Sequence, residues 1–193
     1  MNDGGERMGP VPAAGYDKAQ AAAAAAFEAT RGAPLFGPFE RLVRSPEVLI
    51  HAQALGEYLR YRSSLGPRLG ELVILVTARA WDQAYEWSLH APIALREGVA
   101  PAVVEAIGQG RRPEGLSAAE AACYDFSAEL HRDRQVSDGT YRRAVELFGE
   151  RGVIDLTAIN GYYALLAMQM NVMRTPPVEG GPRLPPRVDL GNE

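Results

Sequence analysis

An all-α fold is the expectation from this sequence, and three features carry it. Helix-start signals recur along the chain: Ser45-Pro46, Gly66-Pro67, Ser117 with Glu120 three residues on, and Ser137-Asp138. Each supplies a capping side chain or a proline suited to the first helical turn. Between these signals apolar residues recur at helical spacing, as Leu69, Leu72, Val73 and Val76 do at i, i+3, i+4 and i+7. No stretch alternates apolar and polar residues in the manner of a strand.

The elements follow in order. Residues 1–16 hold Gly4, Gly5, Gly9, Pro10, Pro12 and Gly15, so a loose arm is expected there. The helical domain is expected over residues 17–173. It opens with an Ala-rich segment of high helix propensity to about residue 30. Gly32, Pro34, Gly37 and Pro38 then break the pattern. A helix from Pro46 to about Ser63 follows, then one from Gly66. Asp82 is expected to cap the next, which runs from Gln83 to Glu97 and stops at Gly98. Pro101 opens a short helix, Ser117 one reaching about His131, and Ser137-Asp138 one ending near Gly149. Val153–Met173 is apolar on most sides, which suits a helix buried in the core or between subunits. Residues 174–193 carry Pro176, Pro177, Pro182, Pro185 and Pro186 and should form an extended tail.

Composition removes several classes of function. The chain has 193 residues, 47% of them hydrophobic, and a net charge of −4. That composition suits one soluble domain, without the basic excess of a nucleic-acid binder. Lys18 is the only lysine, so imine chemistry would rest on one residue near the arm. Cys123 is the only cysteine, so a CxxC pair or an internal disulfide is impossible. The longest apolar run near the centre, Leu72-Val73-Ile74-Leu75-Val76, is far short of the ~20 residues a membrane span needs. A cytoplasmic location is expected, with no membrane or nucleic-acid partner.

Chemistry concentrates in residues 71–90. Glu86 and His90 are four apart, which places them on one helical face. A carboxylate there can orient the imidazole and raise its pKa. Glu71 is the second acid. On one unbroken helix it would lie about 28 Å from His90. A new helix beginning near Asp82 would instead fold back as a hairpin and bring Glu71 to the pair. Trp81, Tyr85 and Trp87 surround the pair and could line a dry pocket or simply pack in the core.

The spacing Glu71-x11-Gln83-x2-Glu86-x3-His90 resembles the signature of the carboxymuconolactone decarboxylase and alkylhydroperoxidase-D-like superfamily. The segment Tyr85-Glu86-Trp87-Ser88-Leu89-His90 resembles its cysteine-free, decarboxylase-like branch, as do Leu55–Leu65 and Gly161-Tyr162-Tyr163. In the peroxidase branch two cysteines stand where this chain has Gln83 and Glu86, so thiol peroxidase activity is disfavoured. The resemblance covers about residues 35–175. It implies a helical bundle built around a helical hairpin, a homo-oligomer (trimer or hexamer), no bound cofactor, and Glu71, Glu86 and His90 as catalytic residues.

The expected activity is that of a lyase acting on a small carboxylated lactone or β-keto-acid-like substrate. Protonated His90, held by Glu86, would deliver the proton, and a neutral Glu71 would donate to the oxyanion. Tyr58, Arg62, Gln83, Trp87 and Tyr163 are candidate substrate-binding residues, chosen on position and chemistry alone. The same pair could run an isomerisation, hydration or retro-aldol step. A metal site on Glu71, Glu86 and His90 offers only one imidazole. A non-enzymatic, ligand-binding helical oligomer is the remaining class. Cys123 reads as a buried, inert thiol and His131 as a structural histidine near a helix C-terminus.

Overall fold

The computed structural model describes residues 5–187. Eight α-helices and no strand are found among them. An Asp17–Gln20 capping box opens α1 (Lys18–Arg31), which ends at Gly32 in the left-handed region. The four-residue α2 (Phe39–Leu42) follows directly on the helix breakers Gly32–Pro38, where no helix is expected from the sequence. Proline in the first turn starts α3 (Pro46–Tyr61), α4 (Gly66–Ala80) and α6 (Pro101–Gly108). Between the last two lies α5 (Ala84–Arg96). A Ser117–Glu120 capping box starts α7 (Ala118–Asp133), and Ser137 caps α8 (Asp138–Met173). Within α8 the backbone leaves helical geometry at Gly149 (φ 66°, ψ 176°), where the sequence signals a stop.

The centre of the fold is α4. Every residue from Gly70 to Arg79 is buried, because α5, α6, α7, α8 and α3 all pack around it. Leu72, Val73 and Leu75 are fully enclosed. Truncating a leucine so placed generally costs about 2–5 kcal/mol, so α4 anchors the core that surrounds it. Among the described residues no helix is long and apolar enough to cross a membrane.

Both terminal segments lie on this body over the residues described. On the N-terminal side Glu6 pairs with Arg41, and the Arg7 amide donates to the Met173 carbonyl at 2.8 Å. On the C-terminal side the Val178 amide donates to Ser88 Oγ at 2.8 Å, and Arg79 donates to the Pro185 carbonyl at 2.6 Å. Residues 1–4 and 188–193, the outer ends of the expected arm and tail, lie outside the described residues.

The turn from α4 into α5 differs from expectation in one detail. Gln83, not Asp82, is the N-cap, its side chain accepting from the Tyr85 amide at 2.6 Å. Asp82 takes φ 48° and pairs with Arg79 and Arg187. So tight a reversal requires one left-handed residue, and aspartate tolerates that better than most.

Candidate active site

That reversal makes α4 and α5 a hairpin and carries His90 to its acids. Glu71 and His90 are 19 positions apart, yet Glu71 Oε2 lies 2.8 Å from His90 Nδ1. The other ring nitrogen, Nε2, lies 3.2 Å from Glu86 Oε2, one turn back on α5. Glu71 is 4% exposed, and Glu86 and His90 are 3% exposed. Glu86 occupies the first turn of α5, where the helix N-terminus favours negative charge.

Burial by itself would lower the His90 pKa. Its hydrogen bonds to Glu71 and then Glu86, with the negative charge of both, outweigh burial and raise the imidazole from 6.5 to about 9. At neutral pH the ring therefore carries its proton. From α3, Arg60 approaches Glu71 Oε1 at 3.3 Å. From α8, Tyr163 meets the imidazole edge to face, with ring centroids 5.3 Å apart. Burial pushes the Tyr162 and Tyr163 hydroxyls up, which keeps them protonated as donors. Gly56 makes room for Tyr162: a Cβ there would clash with its hydroxyl.

Glu86 and His90 form one wall of a cavity of about 240 Å³. Arg31, Arg60 and Tyr85 face it, and Phe36, Phe39, Tyr162 and Tyr163 add aromatic surface. Pockets for drug-sized ligands usually span ~300–1,000 Å³, so the occupant here is small. Glu71 is not on the wall. It backs His90, with its oxygens turned to Arg60 and the imidazole. The expected role of a neutral Glu71 donating to an oxyanion is therefore corrected: both oxygens are engaged as acceptors, and neither faces the cavity.

The other candidate residues divide sharply. Tyr163 is on the wall. Tyr58 and Arg62 are not. Gly56 and Arg60, four apart, share the face of α3 that looks into the cavity. Tyr58 and Arg62 are two residues out of phase, about 200° around the helix. There the Tyr58 hydroxyl donates to Asp155 Oδ1 at 3.0 Å, and Arg62 pairs with Glu57. Gln83 is spent on capping α5 and donates from Nε2 to Asn171 at 2.8 Å. Trp87 is not on the wall; it is buried in the core against Gly108.

Arg31, Arg60, Phe36 and Phe39 went unnamed as site residues in the sequence, whereas Tyr85, offered there as pocket lining, is on the wall. For Arg60 a signal existed, the i, i+4 relation to Gly56; for Arg31, at the far end of α1, none did. Burial lowers the His131 pKa, and its Nε2 lies 3.0 Å from Thr77 Oγ1, so it sits as a neutral partner in a polar contact. Among the described residues no group of three His, Cys, Asp or Glu side chains is arranged to hold a metal ion. Within the cluster both imidazole nitrogens face carboxylates rather than a shared point.

Residues 46–125 match the carboxymuconolactone decarboxylase family. No curated protein sequence matches the chain. Among solved structures, the alkylhydroperoxidase AhpD core of a peroxidase-related protein from Ralstonia eutropha JMP134 superposes with a TM-score of 0.72 at 16% identity. That match covers 91% of this chain and 93% of that one. The debrominase Bmp8, solved with 2,3,4-tribromopyrrole, gives 0.68 at 15% identity over 86% and 89%. A protein of unknown function from Agrobacterium tumefaciens gives 0.63 at 15% identity over 70% and 94%. At these identities the likeness establishes the fold.

Proposed function

We propose, from the match of residues 46–125 to the carboxymuconolactone decarboxylase family and the alkylhydroperoxidase-D-like fold, a cytoplasmic, cofactor-free lyase acting on a small carboxylated lactone or β-keto-acid-like substrate. One observation carries the reading: a buried imidazole with a carboxylate on each nitrogen forms the wall of a small cavity that also holds two arginines.

In such a substrate the C–C bond to the leaving carboxylate breaks, and its electron pair flows into the conjugated carbonyl. The products are CO2 and an enolate. Arg60 and the protonated tyrosines on the wall can hold the oxyanion, and one such donor is generally worth about 3–4 kcal/mol. The proton held between His90 Nε2 and Glu86 then passes to carbon, a step worth about 10²–10⁴-fold in rate. His90 regains it from solvent. Glu71 acts as a positioning residue that fixes the ring and keeps it loaded, and Arg60 in turn holds Glu71.

The same pair would serve an isomerisation, because a loaded imidazole beside a carboxylate can give at one atom and take at another. Thiol peroxidase chemistry finds no support: Cys123 is fully buried on α7, and burial pushes its thiol up to about 12. We also propose that copies of the chain associate through α8, where Ile154, Leu165, Met168 and Val172 leave a stripe of apolar surface exposed.

The test is His90→Ala assayed against carboxylated lactones and β-keto acids. We expect turnover to fall by at least about 10²-fold while the helical signal is kept. Turnover equal to that of the parent protein would discard the assignment.

A further inference from the structure

The bases on the cavity wall are matched by acids, with one exception. His90 lies between Glu71 and Glu86, and Arg60 pairs with Glu71. Among the described residues Arg31 pairs with no carboxylate. Its Nη2 donates to the Gln53 carbonyl at 3.2 Å, and its Nε is enclosed without any acceptor. Aromatic rings hold the guanidinium instead. Its central carbon lies 5.9 Å from the ring centroids of Phe27 and Phe39, and 5.7 Å from that of Tyr61. Ring faces attract a cation but do not neutralise it. A guanidinium presents a planar fork of donors that suits a carboxylate. Three basic side chains therefore meet two acidic ones around this space, and the unmatched charge is Arg31.

The position of that charge also matters. Arg31 ends α1, and Phe36 and Phe39 follow it on the wall. All three lie outside residues 46–125, the family segment that supplies Glu71, Glu86 and His90. The reacting groups and the unmatched cation thus come from different parts of the chain. An arginine clamped on the leaving carboxylate would oppose its loss, because the charge it stabilises must vanish as CO2 departs. The carboxylate that Arg31 holds must be one the substrate keeps.

We propose that Arg31 is a specificity-determining residue that seats a retained carboxylate of a flat, unsaturated acid against the aromatic wall and so turns the reacting carbon toward His90. This rests on reading the cavity as a site for acid–base chemistry, but its test needs no turnover.

Isothermal titration calorimetry with 2-furoate, benzoate and sorbate, each against its neutral amide, measures the preference for the charge. The parent protein should bind the acids at least about tenfold more tightly than the amides. Arg31→Met, which keeps the stem packed against Phe27 and Phe39, should bring acid and amide to within about twofold, and Arg31→Lys should restore part of the gap. Circular dichroism shows whether each variant is folded, and Arg31→Gln stands in if Arg31→Met is not. The proposal is overturned if no acid binds the parent protein at millimolar concentration, if acid and amide bind it alike, or if the preference survives in folded Arg31→Met or Arg31→Gln. A protein that binds acids through Arg31 yet turns over nothing would refute the lyase and leave this assignment standing.

Discussion

Raising the pH from about 6 to about 9.5 should weaken this fold through one side chain. The His90 imidazole titrates near 6.5 when unfolded and is raised to about 9 in the structure. Between those values the folded chain holds a proton that the unfolded chain has released. Stability from this group is therefore complete below 6.5 and is lost as pH climbs through about 9. At about 1.4 kcal/mol per pKa unit, the loss is roughly 3 kcal/mol. For a chain of this size that corresponds to roughly 6–12 °C in melting temperature. The assay compares thermal melts of the parent protein and His90→Gln across that range at one protein concentration. Glutamine can bond both carboxylates but does not titrate. Cys123, whose thiol is pushed up to about 12, begins to contribute only at the top of the range and does so in both proteins. The parent curve should therefore fall by about 3 kcal/mol more than the variant's. Parallel curves would mean that the imidazole is not held protonated between its two acids, and the mechanism would lose its proton source.

Two further outcomes follow from the same geometry. Glu71→Gln replaces the acid on Nδ1, the larger of the two contributions that raise the ring, and should bring the His90 titration down by at least about one unit. The ring-proton chemical shifts and the alkaline limb of the rate profile should move together, and an unmoved titration would remove Glu71 from its positioning role. On α8, Leu165→Glu puts a charge into the exposed apolar stripe. If copies associate through α8 as proposed, sedimentation should show a lower mass for the variant than for the parent protein while the helical signal persists; an unchanged mass would count against association through that face.

The helices were legible because their boundaries are local. Ser117 with Glu120, Pro46, Pro67 and Gly149 act within one turn of where they stand, and each marks a boundary in the structure. The acid–imidazole cluster was legible for a related reason. Glu86 and His90 share a helical face, and the one long-range step, folding Glu71 back, needed only a break near Asp82. The rest of the cavity depends on helix phase and on distant packing. Tyr58 and Arg62 carried suitable chemistry on the wrong side of α3, while Arg60 two residues away had the right one. Trp87 adjoins Glu86 in sequence but is buried in the core, off the cavity wall. No periodicity within α1 announces that Arg31 would reach the cavity, because that contact is made by the packing of α1 against α3.

The cluster is a poor device for holding the hairpin together. Leu72, Val73 and Leu75 already fix α4 in the core, and buried ion pairs often contribute no more than well-packed apolar residues of the same volume. Two acids and an imidazole enclosed to within a few per cent of full burial, with an arginine against one of the acids, are thus better explained by what they do than by what they stabilise. Their arrangement also favours one direction of proton flow. An imidazole raised to about 9 is loaded at neutral pH, and as an acid it is weaker than free imidazole. It cannot accept a proton until it has given one up. A substrate matched to it must arrive at a strongly basic carbon without first being deprotonated by this ring. Loss of CO2 creates such a carbon directly, whereas an isomerisation would require Glu86 alone to take the first proton while paired with a cation. That asymmetry is why the lyase reading stands ahead of the isomerase.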